Sequence, residues 1–147
     1  MPKVSIIVPC YNEQATIRYL LEALRDQTFP HTAMEVIISD GMSMDKTRDV
    51  ITSFQSDFPD VAVRVVDNTL RSIPAAVNRA IEVSRGSILV RLDAHSKPYP
   101  DYVMNCVNAI ESGRGDNVGG VWEIQPGADT WIAKSISVAA ADRKSVV

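Results

Sequence analysis

The chain has 147 residues, 46% of them hydrophobic and 22% charged, with a net charge of −3. That is the length of one domain with enough apolar residues to bury a core, which excludes a disordered segment. No Lys/Arg cluster forms a basic stripe, so nucleic acid is excluded as the natural partner. No run approaches the ~20 apolar residues that cross a bilayer, and no signal-peptide pattern opens the chain. The expectation is a soluble, cytoplasmic chain. Cys10 and Cys106 are far apart and lack metal-site spacing, so they read as reduced thiols.

In chain order, residues 4–8 are short and almost wholly apolar, which predicts a strand buried on both faces and stopped by Pro9. A helix is expected to open at Asn12-Glu13-Gln14, because Ile17, Leu20, Leu21 and Leu24 then share one apolar stripe. Residues 34–39 give a second strand that ends at Asp40-Gly41. Asp45 stands where an N-cap would start the next helix, whose buried face is Val50, Ile51, Phe54 and Phe58. The third strand, 61–66, alternates, which suggests a less buried place in the sheet, and it ends at Asp67-Asn68.

Ser72 is the expected cap of a third helix, with Pro74 in its first turn. Ile73, Ala76, Val77, Ala80 and Ile81 would share its buried face, and Gly86 would end it in the C′ role. A fourth strand, 87–92, leads to Asp93. A helix from Pro100-Asp101 buries Val103, Met104, Val107 and Ile110 and stops at Gly113 and Gly115. A fifth strand at 118–124 and a helix from Thr130 complete the alternation, with Trp122 and Trp131 as core or interface residues. Strand and helix alternate throughout. That order predicts an α/β fold: a mainly parallel sheet, flanking helices and right-handed crossovers. Ligands of such sheets gather at the carboxyl ends of the strands.

Three of those ends carry polar chemistry: Pro9-Cys10-Tyr11-Asn12-Glu13, Asp40-Gly41-Met42-Ser43-Met44-Asp45, and Asp93-Ala94-His95. Neither G-x-G-x-x-G nor G-x-x-x-x-G-K is present, so the two commonest phosphate cradles are missing. A nucleoside diphosphate would need its charge offset by another device. A divalent cation held by Asp93 and His95 is one such device.

The stretches VSIIVPCYNE (4–13), SDGMSMDKT (39–47), AAVNRAI (75–81) and LDAH (92–95), in that order, resemble family 2 glycosyltransferases, which have the GT-A fold. The Asp-Ala-His form and the D-G-M-S-x-D loop are most similar to bacterial exopolysaccharide enzymes of the succinoglycan glucosyltransferase type. The resemblance implies a Rossmann-like GT-A sheet and transfer of a sugar from a nucleotide-sugar, in the first instance a UDP-sugar. The acceptor would be a saccharide or a lipid-linked saccharide, and the reaction an inverting displacement in polysaccharide biosynthesis. It places Pro9, Tyr11 and Glu13 in the nucleotide pocket, Asp40 on the uracil ring and Arg71 near the base or phosphates. Asp93 and His95 fall on the family's metal-binding D-x-D positions. A His where the family has a carboxylate favours Mn²⁺ over Mg²⁺, which prefers oxygen.

The family's catalytic base is expected beyond Val147. Residues 1–147 therefore read as the donor-binding portion of a longer enzyme, one that would work at the inner face of the membrane. The apolar face of residues 131–141 would then favour self-association. Two other readings stay open. One is a nucleotidyltransferase with a similar sheet, although the Gly-rich basic loop of that class is missing after the first strand. The other is a non-catalytic nucleotide-sugar-binding module.

Overall fold

Short apolar runs become strands of a single sheet: β1 (Val4–Cys10), β2 (Met34–Asp40), β3 (Val63–Asp67) and β4 (Ile88–Arg91). The structure is a computed structural model and describes residues 1–120. These elements belong to one unit, Met1–Asp116. The expected helix from Thr130, both tryptophans, the face at 131–141 and all of the expected fifth strand past residue 120 lie outside the described residues.

Among the described residues all strand pairings are parallel, and the order is β3-β2-β1-β4. The chain steps outward from β1 to β3 and then returns to the far side of β1 for β4. That reversal creates a topological switch point between β1 and β4, where open α/β sheets hold their ligands. The alternating third strand is indeed an edge of the described sheet, as its partly exposed residues require.

Helices α1 (Ile17–Arg25), α2 (Thr47–Asp57) and α4 (Tyr102–Glu111) share one large core with Val4, Ile6, Val8, Val36 and Ile38 of the sheet. The α1 stripe of Ile17, Leu20, Leu21 and Leu24 is wholly buried there. Helix α3 (Ile73–Val83) covers the other face, where Ile7, Ile37 and Ala80 form a smaller cluster. The layers are helix, sheet, helix.

Several local expectations are corrected. Pro9 does not stop the first strand; it sits inside β1, opposite Ser39. The Cys10 carbonyl accepts from Gly41 on the β2 side, and the Ile7 carbonyl accepts from Leu92 on the β4 side. Alternation puts Pro9 on the β4 side, beyond Arg91, so no ladder bond needs the N–H that proline lacks. The first helix starts at Ile17, not at Asn12; the Glu13 carbonyl first accepts from Thr16 and Ile17 in a preceding turn.

In α3 only Ala76 and Ala80 are buried, whereas Ile73 and Ile81 are exposed. The small side chains at the buried positions let the helix lie close to β1 and β2. Gly86 is not a helix C′ residue, because α3 ends at Val83 with an extended Ser84. Its need is space: a Cβ at Gly86 would stand 2.6 Å from the Ser5 amide nitrogen. Gly113 does play the C′ part for α4, at φ 71°. Its N–H reaches the Ile110 carbonyl and the Arg114 N–H the Ala109 carbonyl, which is a Schellman closure.

Candidate functional site

The loops after β1, β2 and β3 each contain one non-glycine residue in the left-handed region: Asn12 (φ 52°), Met42 (φ 62°) and Arg71 (φ 54°). Each such residue costs on the order of 1 kcal/mol, and such strain concentrates where a fold aims groups at a ligand. Cross-loop hydrogen bonds offset that cost. The Asn12 amide donates to Ser43 Oγ at 2.9 Å, and the Met44 amide donates to Asn12 Oδ1 at 2.9 Å. The Glu13 amide donates to Thr47 Oγ1 at 2.8 Å. Asp45 accepts from the Gln14 amide and from the Thr47 amide, so it ties the first two loops together while capping α2 from one residue before Lys46, the position at the helix start. The hydrogen bonds from Gln14 and Thr47 hold its carboxyl below the usual range despite the opposing effect of desolvation.

These loops surround a cavity of about 280 Å³ at the switch point. Pro9, Tyr11, Glu13, Arg71, Asp93 and His95 all line it, as do Gly41 and Asn68. Six of the seven residues singled out from the sequence thus meet in one place. Gly41 leaves room for the Tyr11 side chain: an added Cβ would be 3.3 Å from Tyr11 Cδ2. His95 Nδ1 is 3.4 Å from Glu13 Oε1, which links the β4 end to the β1 end. Asp93 is half-exposed, with Arg91 Nη2 at 3.5 Å. Helix α3 begins at the same place, and Ser72 caps it by accepting from the Ala75 amide.

Asp40 is the exception. It is fully buried and does not line the cavity. Its carboxylate accepts from the Ser43 amide and hydroxyl and from Arg48 Nε at 2.7 Å. Arg48 Nη2 also bonds Asp67 Oδ1 at 2.7 Å. Sequence reasoning passed over Arg48, Asn68 and Ser43. One signal for Arg48 was available: a cation in the first turn of a helix opposes the macrodipole and so calls for specific anionic partners. Cys10 also lines the cavity, and burial first, and then the carboxylates of Asp40, Glu13 and Asp45, push its thiol up to about 12.

Among the described residues, no group of three or more His, Cys, Asp or Glu side chains comes together as a metal site. Asp93 and His95, the two residues the sequence offered as metal ligands, both line the cavity. A cation held here would take its remaining ligands from a bound diphosphate and water.

The description "Glycosyl transferase family 2" matches residues 5–144 of the chain. The chain belongs to that family. As a family 2 chain it is similar to glycosyltransferase AglE of Haloferax volcanii, at 34% identity over 82% of this chain and 39% of the relative. It is also similar to the succinoglycan biosynthesis protein ExoA of Rhizobium meliloti, at 43% identity over 65% of this chain and 28% of that protein. The chain therefore spans well under half the length of these relatives. Among solved structures it resembles the mannosyltransferase PcManGT of Pyrobaculum calidifontis in complex with GDP-Man and Mn²⁺, with a TM-score of 0.69 and 33% identity. That likeness covers 72% of this chain and 31% of the other. The fold is GT-A, as the sequence led one to expect. Among the described residues, no helix is long and apolar enough to cross a membrane.

Proposed function

We propose that residues 1–147 form the donor-binding part of a glycosyltransferase that moves a sugar from a UDP-sugar to a saccharide or lipid-linked acceptor, with inversion, in polysaccharide biosynthesis. The observation that carries this reading is the cavity at the switch point, where Pro9, Tyr11, Glu13, Arg71, Asp93 and His95 meet. Its loops follow the strand ends, where a GT-A sheet would present a nucleotide. Tyr11, half-exposed beside Gly41, offers an aromatic ring to the base. Arg71 supplies positive charge to the phosphates. Glu13 holds His95 from across the cavity. Asp40, closed off from the cavity, shapes the base end through Ser43 and Gly41 instead of touching the ring.

Asp93 and His95 would hold a divalent cation, and the GDP-Man and Mn²⁺ complex of PcManGT supports Mn²⁺ as that ion. When bound, the ion offsets the charge of the departing nucleoside diphosphate. Calorimetry of UDP with and without Mn²⁺ tests the reading. Binding should strengthen with the metal, and Asp93→Ala should weaken it by about tenfold or more. Affinity that ignores both the metal and Asp93 would defeat the proposal.

A further inference from the structure

Asp40 and Asp67 end β2 and β3 at register-paired positions, so two carboxylates stand side by side on neighbouring strands. Like charges placed so would push the strand ends apart. Arg48 lies between them, with Nε on Asp40 and Nη2 on Asp67, each at 2.7 Å. The planar fork of a guanidinium suits two partners at once, and a lysine cannot reproduce it. The Asp40 carboxylate also fixes the Ser43 amide, and the Asp40 carbonyl accepts from the Asn68 amide at 2.8 Å. Asn68 in turn lines the cavity and donates through Nδ2 to the Ser72 carbonyl at the start of α3. Met42, the left-handed residue of the second loop, places its sulfur 3.9 Å from Arg48 Nη2.

We propose that Arg48 is a positioning residue of the nucleotide site: through Asp40 and Asp67 it sets the spacing of the two loops that carry Gly41, Asn68 and Arg71 to the cavity. It does not line the cavity itself. The inference rests on the donor-site reading for its effect on affinity, but not for the clamp.

The test compares wild type, R48K and R48Q by UDP calorimetry with Mn²⁺, thermal melting and amide hydrogen exchange. R48Q should bind UDP about tenfold more weakly at a temperature where it is fully folded, and R48K should recover only part of that loss. The Ser43 and Asn68 amides should exchange faster in R48Q, while the amides of α1 keep their protection. A lower melting temperature with unchanged UDP affinity would reduce Arg48 to a structural role and overturn the proposal. If wild type itself fails to bind UDP, the donor-site reading falls separately. The exchange data then decide the clamp: faster exchange at Ser43 and Asn68 upholds it, and unchanged exchange overturns it.

Discussion

Strand β2 buries two carboxylates, Glu35 near its start and Asp40 at its end, and their surroundings differ. Glu35 accepts from Ser5 Oγ at 2.7 Å, from the Arg85 amide at 2.7 Å and from Arg64 Nη2 at 3.2 Å. Its partners lie in β1, β3 and the approach to β4, so it ties the sheet to the end of α3. Asp40 is held instead by Ser43 and Arg48, in a loop and a helix start that shape a cavity. Both anions are buried and paired. Burial and pairing therefore do not mark function by themselves; the place on the strand does, because loops leave the sheet at the carboxyl ends.

The comparison breaks most readily at Glu35. Glu35→Ala leaves the Ser5 hydroxyl and the Arg85 amide without their acceptor and takes the anionic partner from Arg64, whose Nη2 keeps the Val83 carbonyl; it should cost about 3 kcal/mol in chemical denaturation. UDP affinity of the folded fraction should not change; a loss there would erase the distinction between the two carboxylates. Gly86→Ala strikes the same region by sterics, since the new methyl would press on the Ser5 backbone at 2.6 Å. A destabilisation of about 2 kcal/mol is expected, again with nucleotide binding intact.

Acid sharpens the contrast further. Desolvation would raise the Glu35 pKa, but the Ser5 and Arg85 hydrogen bonds and the Arg64 and Arg85 charges outweigh it and hold the carboxyl below its ordinary 4.5. A depressed folded-state pKa gives stability that is complete above 4.5 and fades as pH falls through the folded value. Denaturation midpoints in wild type should drop on acidification below that point, and Glu35→Gln should show a shallower drop. The smallest effect is expected at Ser39, between the two acids on β2. Its hydroxyl is buried without a hydrogen-bond partner among the described residues. Ser39→Ala should raise stability by up to about 1 kcal/mol, visible as a higher melting temperature.

Much of the fold was legible in the residues. The stripe of Ile17, Leu20, Leu21 and Leu24, the run 34–39 and the alternation of 61–66 gave the buried face of α1, the strand β2 and a less buried third strand, all of which are found. Spacing carries that information because helices and strands have fixed periods. Gly113 and Ser72 were legible too, since a left-handed glycine or a capping oxygen satisfies a helix end through bonds local in sequence. The site was legible as a set of strand ends, because parallel crossovers bring those ends to one edge.

The residues alone were enough for the succession of elements through α4, the parallel sheet and the family, all of which follow from local periodicity and ordered motifs. Tertiary structure alone decided the rest. Pro9 could stay in β1 because β4 stops short of it. Gly86 proved to be a matter of contact with Ser5, from which it is separated by most of the chain. Asp40 was turned inward by Arg48, and Glu13 was brought to His95. Each of these depends on which groups meet across the sheet, and no residue's own neighbours in sequence carry that information.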